Sequence, residues 1–155
     1  MEVKQFSDIE AEFIKRVHGM IWCSAATIDS QQRPRSRILH PFWEGSTGWV
    51  VTHRHSFKAK HLEHNPHMSL AYITDIHKPV YVDCTAEWVD DLEAKKRVWG
   101  LFLNAPPPMG FDPAIDFIRP DHETFGVLKL TPWRIDLVSF PAENFDKGTL
   151  VWRSP

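Results

Sequence analysis

The sequence predicts a mainly β protein of the α+β class, a closed antiparallel barrel of six strands with short flanking helices. Three observations lead there. Short runs alternate with period two, most clearly from Val80 to Trp88, where Val80, Val82, Cys84, Ala86 and Trp88 share one face and Tyr81, Asp83, Thr85 and Glu87 the other. Glu44-Gly45-Ser46-Thr47-Gly48 reads as a hairpin turn between two such runs. Strand and helix patterns do not alternate in the way that builds a parallel sheet.

Taken in order, Ser7 and Glu10 have the spacing of a capping box with Phe6 placed to staple the first turn, and Ile9, Phe13 and Val17 make the apolar stripe of a helix ending before His18-Gly19. Ile21–Ile28 is a strand with small residues at its centre, where another backbone or a flat ring can come close, and Asp29-Ser30-Gln31-Gln32 turns the chain into the next strand. There Arg35 and Arg37 point one way while Ser36 and Ile38 point the other. The hairpin returns through Trp49-Val50-Val51-Thr52, which in simple register sets Thr52 roughly opposite the arginines. Ser56 is a good N-cap for a helix that stops at Asn65-Pro66. Met68–Ile73 alternates as a strand, and a helix begins at Asp90-Asp91, buries Leu92, Val98, Trp99 and Phe102, and ends at Asn104. Residues 105–120, with Pro106, Pro107, Pro108, Pro113 and Pro120, read as one long loop, and 105–113 within it as stiff and extended with Gly110 as its hinge. Phe125–Val138 is the last long strand, or a bent pair broken at Thr131-Pro132.

The length of 155 residues suits one domain over 1–155. Eighteen Lys and Arg against twenty Asp and Glu give a net charge of -2 with no long basic run, which argues against nucleic-acid partners. The N-terminus is polar and the apolar runs are strand-sized, so the expectation is a soluble cytoplasmic protein with no membrane partner. Cys23 and Cys84 lie in strand-like runs without CxxC spacing and read as reduced core thiols. Seven Trp and ten Phe are more than a barrel this small can hide alone, which points to a subunit contact.

Of nine histidines, His53, His55, His61, His64 and His67 have the look of a metal set, but no acidic or cysteine ligand is spaced beside them. His53 and His55 read as donors near an anion, and His61, His64 and His67 as exposed polar residues. No serine sits in a Gly-x-Ser-x-Gly elbow and neither cysteine has a paired histidine, so a hydrolase is the weakest reading.

Lys58 falls in the first turn of its helix, where the backbone is already partly positive and acidic residues are favoured. Either this is a solvated basic face, or Lys58, the Ser56 and Thr52 hydroxyls and the arginines are a donor set for a phosphate monoester.

The ordered pattern Pro34-x-x-Arg37, Thr52-x-x-x-Ser56-x-Lys58 and Asn65-Pro66-x-x-Ser69-Leu70 resembles the flavin-binding segment of the pyridoxamine 5'-phosphate oxidase-like family, the FMN-binding split β-barrels. The likeness runs from about Met20 to Val89 and again near Trp133-Arg134. It implies a split barrel that works as a homodimer with one FMN at each end of the interface. The FMN phosphate would lie on Arg37, Ser56 and Lys58, supported by Arg35 and Thr52 with His53 nearby; the backbone at Ile38 and Leu39 would meet the ring edge. Trp133 and Arg134 would approach the flavin of the partner subunit. Residues 105–113 lie outside the likeness; because long loops in compact domains tend to be functional, they read as part of a lid over the ring, or else as a surface excursion packed on the barrel.

The departures matter as well. The late strand TPWRIDLVSF lacks the Arg-x-His pair that binds pyridoxal phosphate, and Pro79 stands where a glutamine would meet the ring, so vitamin B6 oxidation is not expected. The resulting expectation is an FMN-dependent oxidoreductase of another small molecule. The alternatives are a flavin-binding or sensing protein without turnover and a deazaflavin-dependent reductase on the same barrel. Tyr72, Tyr81, His40 and Asp83 are the candidate proton donors, and no spacing separates them.

Overall fold

The structure, a computed structural model, describes residues 1–140 and 148–155. A short strand β1 (Glu2–Val3) and a 3-10 turn (Phe6–Asp8) lead into helix α1 (Glu10–Met20), followed by β2 (Cys23–Ile28), β3 (Pro34–Leu39), β4 (Phe42–Glu44) and β5 (Thr47–His53). Then come α2 (Phe57–His64), β6 (His67–Tyr72), β7 (Val80–Trp88), α3 (Leu92–Asn104), α4 (Ala114–Phe117), β8 (Phe125–Leu137) and β9 (Leu150–Arg153). The strands run in the order β1-β9-β8-β7-β6-β2-β3, with β5 joined to β8 and carrying β4. All pairings are antiparallel except that of β1 with β9.

Among the described residues the sheet curls but does not close, because there β3 hydrogen-bonds only to β2 and β4 only to β5. This is the split barrel that the family resemblance implies, not the closed one that the strand pattern suggests, and it has one change of register. The arginine strand does not pair with the strand carrying Thr52. Pro41 has no amide hydrogen for a ladder, so β3 ends at Leu39 and a new short strand makes the hairpin with β5 around Gly45 and Ser46. Beyond the six strands expected, β1, β4 and β9 are too short to show a period in sequence.

Two apolar clusters fill the molecule. The larger lies between α1 and the curled sheet and holds Ile9, Phe13 and Val17 as predicted; the second packs Val98, Trp99 and Phe102 of α3 on Phe125, Val127 and Trp49. Leu92 is exposed instead of buried, since that second cluster does not reach the first turn of α3. The Ser7–Glu10 box does not form either. The 3-10 turn moves the helix start, the Gln5 amide donates to Asp8 Oδ2, and Phe6 packs edge-on against Phe13 and Trp152. Both cysteines are free and buried, and burial pushes their thiols up to about 12, which leaves them unreactive.

β8 is continuous through Pro132. Cys84 lies opposite Pro132 and Asp83 opposite Arg134, so Trp133 is the extra residue of a bulge, and the bulge absorbs the donor that proline lacks. Residues 105–120 are not one extended loop, since α4 lies among them, and Gly110 is not a hinge. A Cβ there would stand 1.8 Å from the Ala105 carbonyl oxygen, and the Gly110 amide donates to Pro106 O at 3.0 Å, so the turn is folded tightly on itself. No helix among the described residues is long and apolar enough to cross a membrane.

Candidate functional site

Arg35 and Arg37 stand opposite Thr27 and Ala25 in the β2–β3 register, on the same side of the strand as buried Leu39. Arg37 is half-buried and its Nη1 donates to the Ala25 carbonyl at 3.1 Å, while Arg35 reaches further out into solvent. Across the split, β5 holds Thr52 opposite Gly126 of β8. Helix α2 starts at Ser56, whose backbone is extended as an N-cap requires, but its hydroxyl makes no capping bond. Instead it accepts from Lys58 Nζ at 3.1 Å, and Thr52 Oγ1 accepts from the same Nζ at 2.7 Å.

The cluster is electrostatically unbalanced. Burial, and then the charge of Arg37, hold the Lys58 ammonium below its ordinary pKa; burial and then Arg35 do the same to Arg37. The first turn of α2 contains no acid, and neither Arg35, Arg37 nor Lys58 forms an ion pair among the described residues. Two half-buried cations, two hydroxyls and a helix start therefore face each other with nothing negative between them. Such a donor set fits a phosphate.

His61 belongs here too, against the expectation of an exposed polar residue. Its Nδ1 is 2.8 Å from the buried Thr27 hydroxyl, and desolvation together with Arg37 and Arg35 lowers its pKa. The spacing from Lys58 to His61, three residues along one helix face, was the available signal. His64 and His67 are exposed as expected. His55 is exposed and lines a separate groove with Arg54, Ser56 and Lys60.

Next to the cations a cleft of about 410 Å³ opens between Ile38–His40, Val51–His53 and the proline-rich segment, which contributes Pro108, Phe111 and Phe117. Ile38, Leu39, Thr52 and His53 thus line one space, although His53 faces Phe117 edge-on at 5.1 Å and makes no bond to the cationic cluster. His40 is half-buried in the wall, 4.8 Å from the Trp22 ring and 5.6 Å from that of Phe111, with Nε2 3.2 Å from Met109 Sδ. Burial lowers its pKa below 6.5, so near neutral pH it is uncharged.

The other proton-donor candidates lie elsewhere. Tyr72 is fully buried and accepts from Trp43 Nε1, and Tyr81 and Asp83 sit on the outer face of β7, where Asp83 accepts from Ser69. Trp133 and Arg134 are not brought to the cluster within one chain. They lie seven and eight positions along β8 from Gly126, or ~23 Å and more of extended strand. Arg134 is held there by two 2.8 Å bonds to Asp136. Among the described residues no three His, Cys, Asp or Glu side chains converge as metal ligands.

The family model described as pyridoxamine 5'-phosphate oxidase matches residues 9–139. No curated protein matches the chain. Among solved structures the fold is similar to that of a protein related to general stress protein 26, of the pyridoxinephosphate oxidase family, from Clostridium acetobutylicum. The TM-score is 0.72 and the identity 13%, over 94% of each chain. A pyridoxamine 5'-phosphate oxidase-related, FMN-binding protein from Nostoc punctiforme PCC 73102 has a TM-score of 0.67 and 17% identity, over 99% of this chain and 98% of that one. HutZ, the haem storage protein from Vibrio cholerae, has a TM-score of 0.63 and 22% identity, over 80% and 89%. At these identities the likeness is one of fold.

Proposed function

This chain belongs to the pyridoxamine 5'-phosphate oxidase family, and from that premise we propose that it is an FMN-dependent oxidoreductase acting on a small molecule other than vitamin B6, as a homodimer in the cytoplasm. The observation that carries the reading is the pair of half-buried, acid-free cations, Arg37 on the Ala25 carbonyl and Lys58 on the hydroxyls of Thr52 and Ser56, beside an apolar cleft. A dianionic phosphate relieves their mutual repulsion, while a neutral or cationic ligand does not. A flavin held by its phosphate at these residues supplies the redox chemistry, and the protein binds and orients it.

Arg37, Ser56 and Lys58 hold the phosphate in this reading, with Arg35 and Thr52 in support. The β3 backbone at Ile38 and Leu39 borders the cleft that takes the ring. Phe111, Phe117 and Trp22 exclude water from it, and uncharged His40, with His53 and Asp116 on the same cleft, is able to hold or pass a proton. A second copy is supported by the outer sheet face, where Ile38, Ile73, Tyr81 and Trp133 are all exposed. Trp133 and Arg134 then serve the partner's cleft, not their own.

The test is the absorption spectrum of the protein purified without added cofactor, followed by titration of stripped protein with FMN. A flavin band in the blue and saturable FMN binding are expected. A haem or deazaflavin spectrum, with no FMN binding, refutes the reading. Turnover with NAD(P)H and an electron acceptor distinguishes an enzyme from a flavin-binding protein without turnover.

A further inference from the structure

The cationic cluster has a neutral, titratable neighbour. Helix α2 packs on β2, and one turn after Lys58 it places His61 with Nδ1 2.8 Å from the Thr27 hydroxyl. Thr27 is fully buried and stands opposite Arg35 in the β2–β3 register, two residues from Ala25, whose carbonyl accepts from Arg37. A buried partner therefore ties the imidazole to the edge of the cluster.

That partner suits either protonation state of the ring. The Thr27 hydroxyl donates to Nδ1 of the neutral imidazole and accepts from the Nδ1 proton of the charged one, so the bond survives protonation with a rotation of the hydroxyl alone. The surroundings then decide the charge. Burial first, and after it Arg37 and Arg35 of β3, oppose a positive ring and hold it below its ordinary 6.5. On α2 itself the neighbouring charges are Lys58, one turn back, and Lys60, with His64 one turn on. Asp29 of the β2–β3 turn acts in the other direction, but its carboxylate already accepts from Arg33 and from the amides of Gln31 and Arg33. A phosphate dianion at Arg37 and Lys58 changes this balance, because its two negative charges offset the arginines that oppose the proton. By linkage, the proton then favours the dianion as much as the dianion favours the proton.

We propose that His61 is a proton-regulated member of the phosphate site, taking up a proton when a phosphate dianion occupies the cluster and so lending its charge to the site only while ligand is bound. The inference rests on the flavin phosphate reading of the cluster. It makes FMN affinity depend on pH through a residue that need not touch the phosphate, and His61 acts as a positioning residue for charge.

The experiment is calorimetric titration of the stripped full-length chain with FMN and with riboflavin near pH 7.5, above the second phosphate pKa of about 6. It is run in two buffers of different ionisation enthalpy, which counts the protons exchanged, for wild type, His61→Gln and His64→Gln. Wild type should take up ~0.3 proton or more per FMN and close to none per riboflavin, and His64→Gln should match it. Glutamine can still bond Thr27, so a merely structural His61 would leave the count unchanged; the uptake should instead vanish in His61→Gln. From pH 8.5 to 6.5 the ratio of wild-type to His61→Gln affinity for FMN should rise by about fivefold or more. The ring-proton resonance of His61 in wild type reads the same step without a variant, and should titrate below 6.5 in stripped protein and about one pH unit or more higher with FMN. Proton uptake that persists in His61→Gln, a flat affinity ratio, or one titration midpoint with and without FMN overturns the role of His61 and leaves the flavin reading standing. Failure of FMN to bind wild type overturns the flavin reading, and the role of His61 falls with it.

Discussion

Replacing Lys58 by alanine should separate affinity from stability. Its Nζ lies 2.7 Å from Thr52 Oγ1 and 3.1 Å from Ser56 Oγ, so a phosphate oxygen seated among these groups gains a charge-assisted bond from it. Such bonds contribute ~1.5–3 kcal/mol, which puts the loss in FMN affinity at ~10- to ~150-fold. In the cofactor-free protein the balance is different. The substitution removes two bonds to hydroxyls that water can replace, and it also removes a desolvated charge that Arg37 repels. These opposing effects are each ~1 kcal/mol, so the melting temperature of the stripped protein should move by no more than ~4 °C. Riboflavin, which lacks the phosphate, should bind variant and wild type alike. Calorimetric titration with FMN and riboflavin, beside thermal melts of stripped protein, reads all three quantities. FMN affinity within twofold of wild type would refute the anion site, and a riboflavin loss as large as the FMN loss would show that the substitution acts on the fold.

Trp133→Glu and Tyr81→Lys each place a charge on the exposed outer face, and sedimentation should show the dimer weakened by ~10-fold or more; a wild-type monomer with flavin bound would remove the second copy from the site. Gly126→Ala places a Cβ 2.5 Å from the Trp88 ring and 2.9 Å from the Thr52 carbonyl, so it should cost ~1–3 kcal/mol in a chemical denaturation curve and weaken FMN as Thr52 shifts. Replacing Met109–Phe111 with glycine and serine should alter the flavin spectrum or its reduction rate with little effect on FMN affinity, because the segment lines the cleft and not the cationic cluster; unchanged spectrum and rate would make it scaffolding. His18 and His40 have folded pKa values held below 6.5 by burial, and His18 Nε2 must stay unprotonated to accept the Trp43 amide. Between those depressed values and 6.5 the unfolded chain binds more protons, so stability should fall as pH drops below about 6.5 and level off beneath the folded pKa values; melts showing no loss between pH 7.5 and 5.5 would contradict this.

The parts of the site legible in sequence are those set by local chemistry. The extended Ser56, the cation two residues later and the arginine alternation on β3 each follow from neighbours a few positions away, and the structure brings them together. β7 was equally plain, because nine residues of period two leave no second reading. Pairing partners were not legible. Nothing near Arg37 says that its strand bonds only to β2, or that Pro41 starts a new strand; both depend on where β8 and β5 lie. The bulge at Trp133 was hidden for the same reason, since it exists only relative to the register of β7. Gly110 misled because a glycine among prolines suggests freedom, whereas here it marks a backbone approach that no side chain can share.

The split and the site are one feature. β3 is an edge strand, and the side that β5 would occupy in a closed barrel is instead the cleft lined by Ile38 and Leu39 on one bank and Val51 to His53 on the other. An open edge of this kind invites another strand, and charged side chains such as Arg35 and Arg37 discourage it. Within the chain the gap is spanned at one end by Lys58, which bonds Thr52 of β5 and stands close enough to Arg37 of β3 for the two charges to repel. Closing the barrel by backbone bonds would remove both the cleft and the reason for an anion to sit at its end. On the proposed reading the unpaired edge, the repelling cations and the apolar walls are explained together by a ligand that is flat along one part and doubly negative at one end, with binding energy drawn from cations whose charge the fold alone leaves uncompensated.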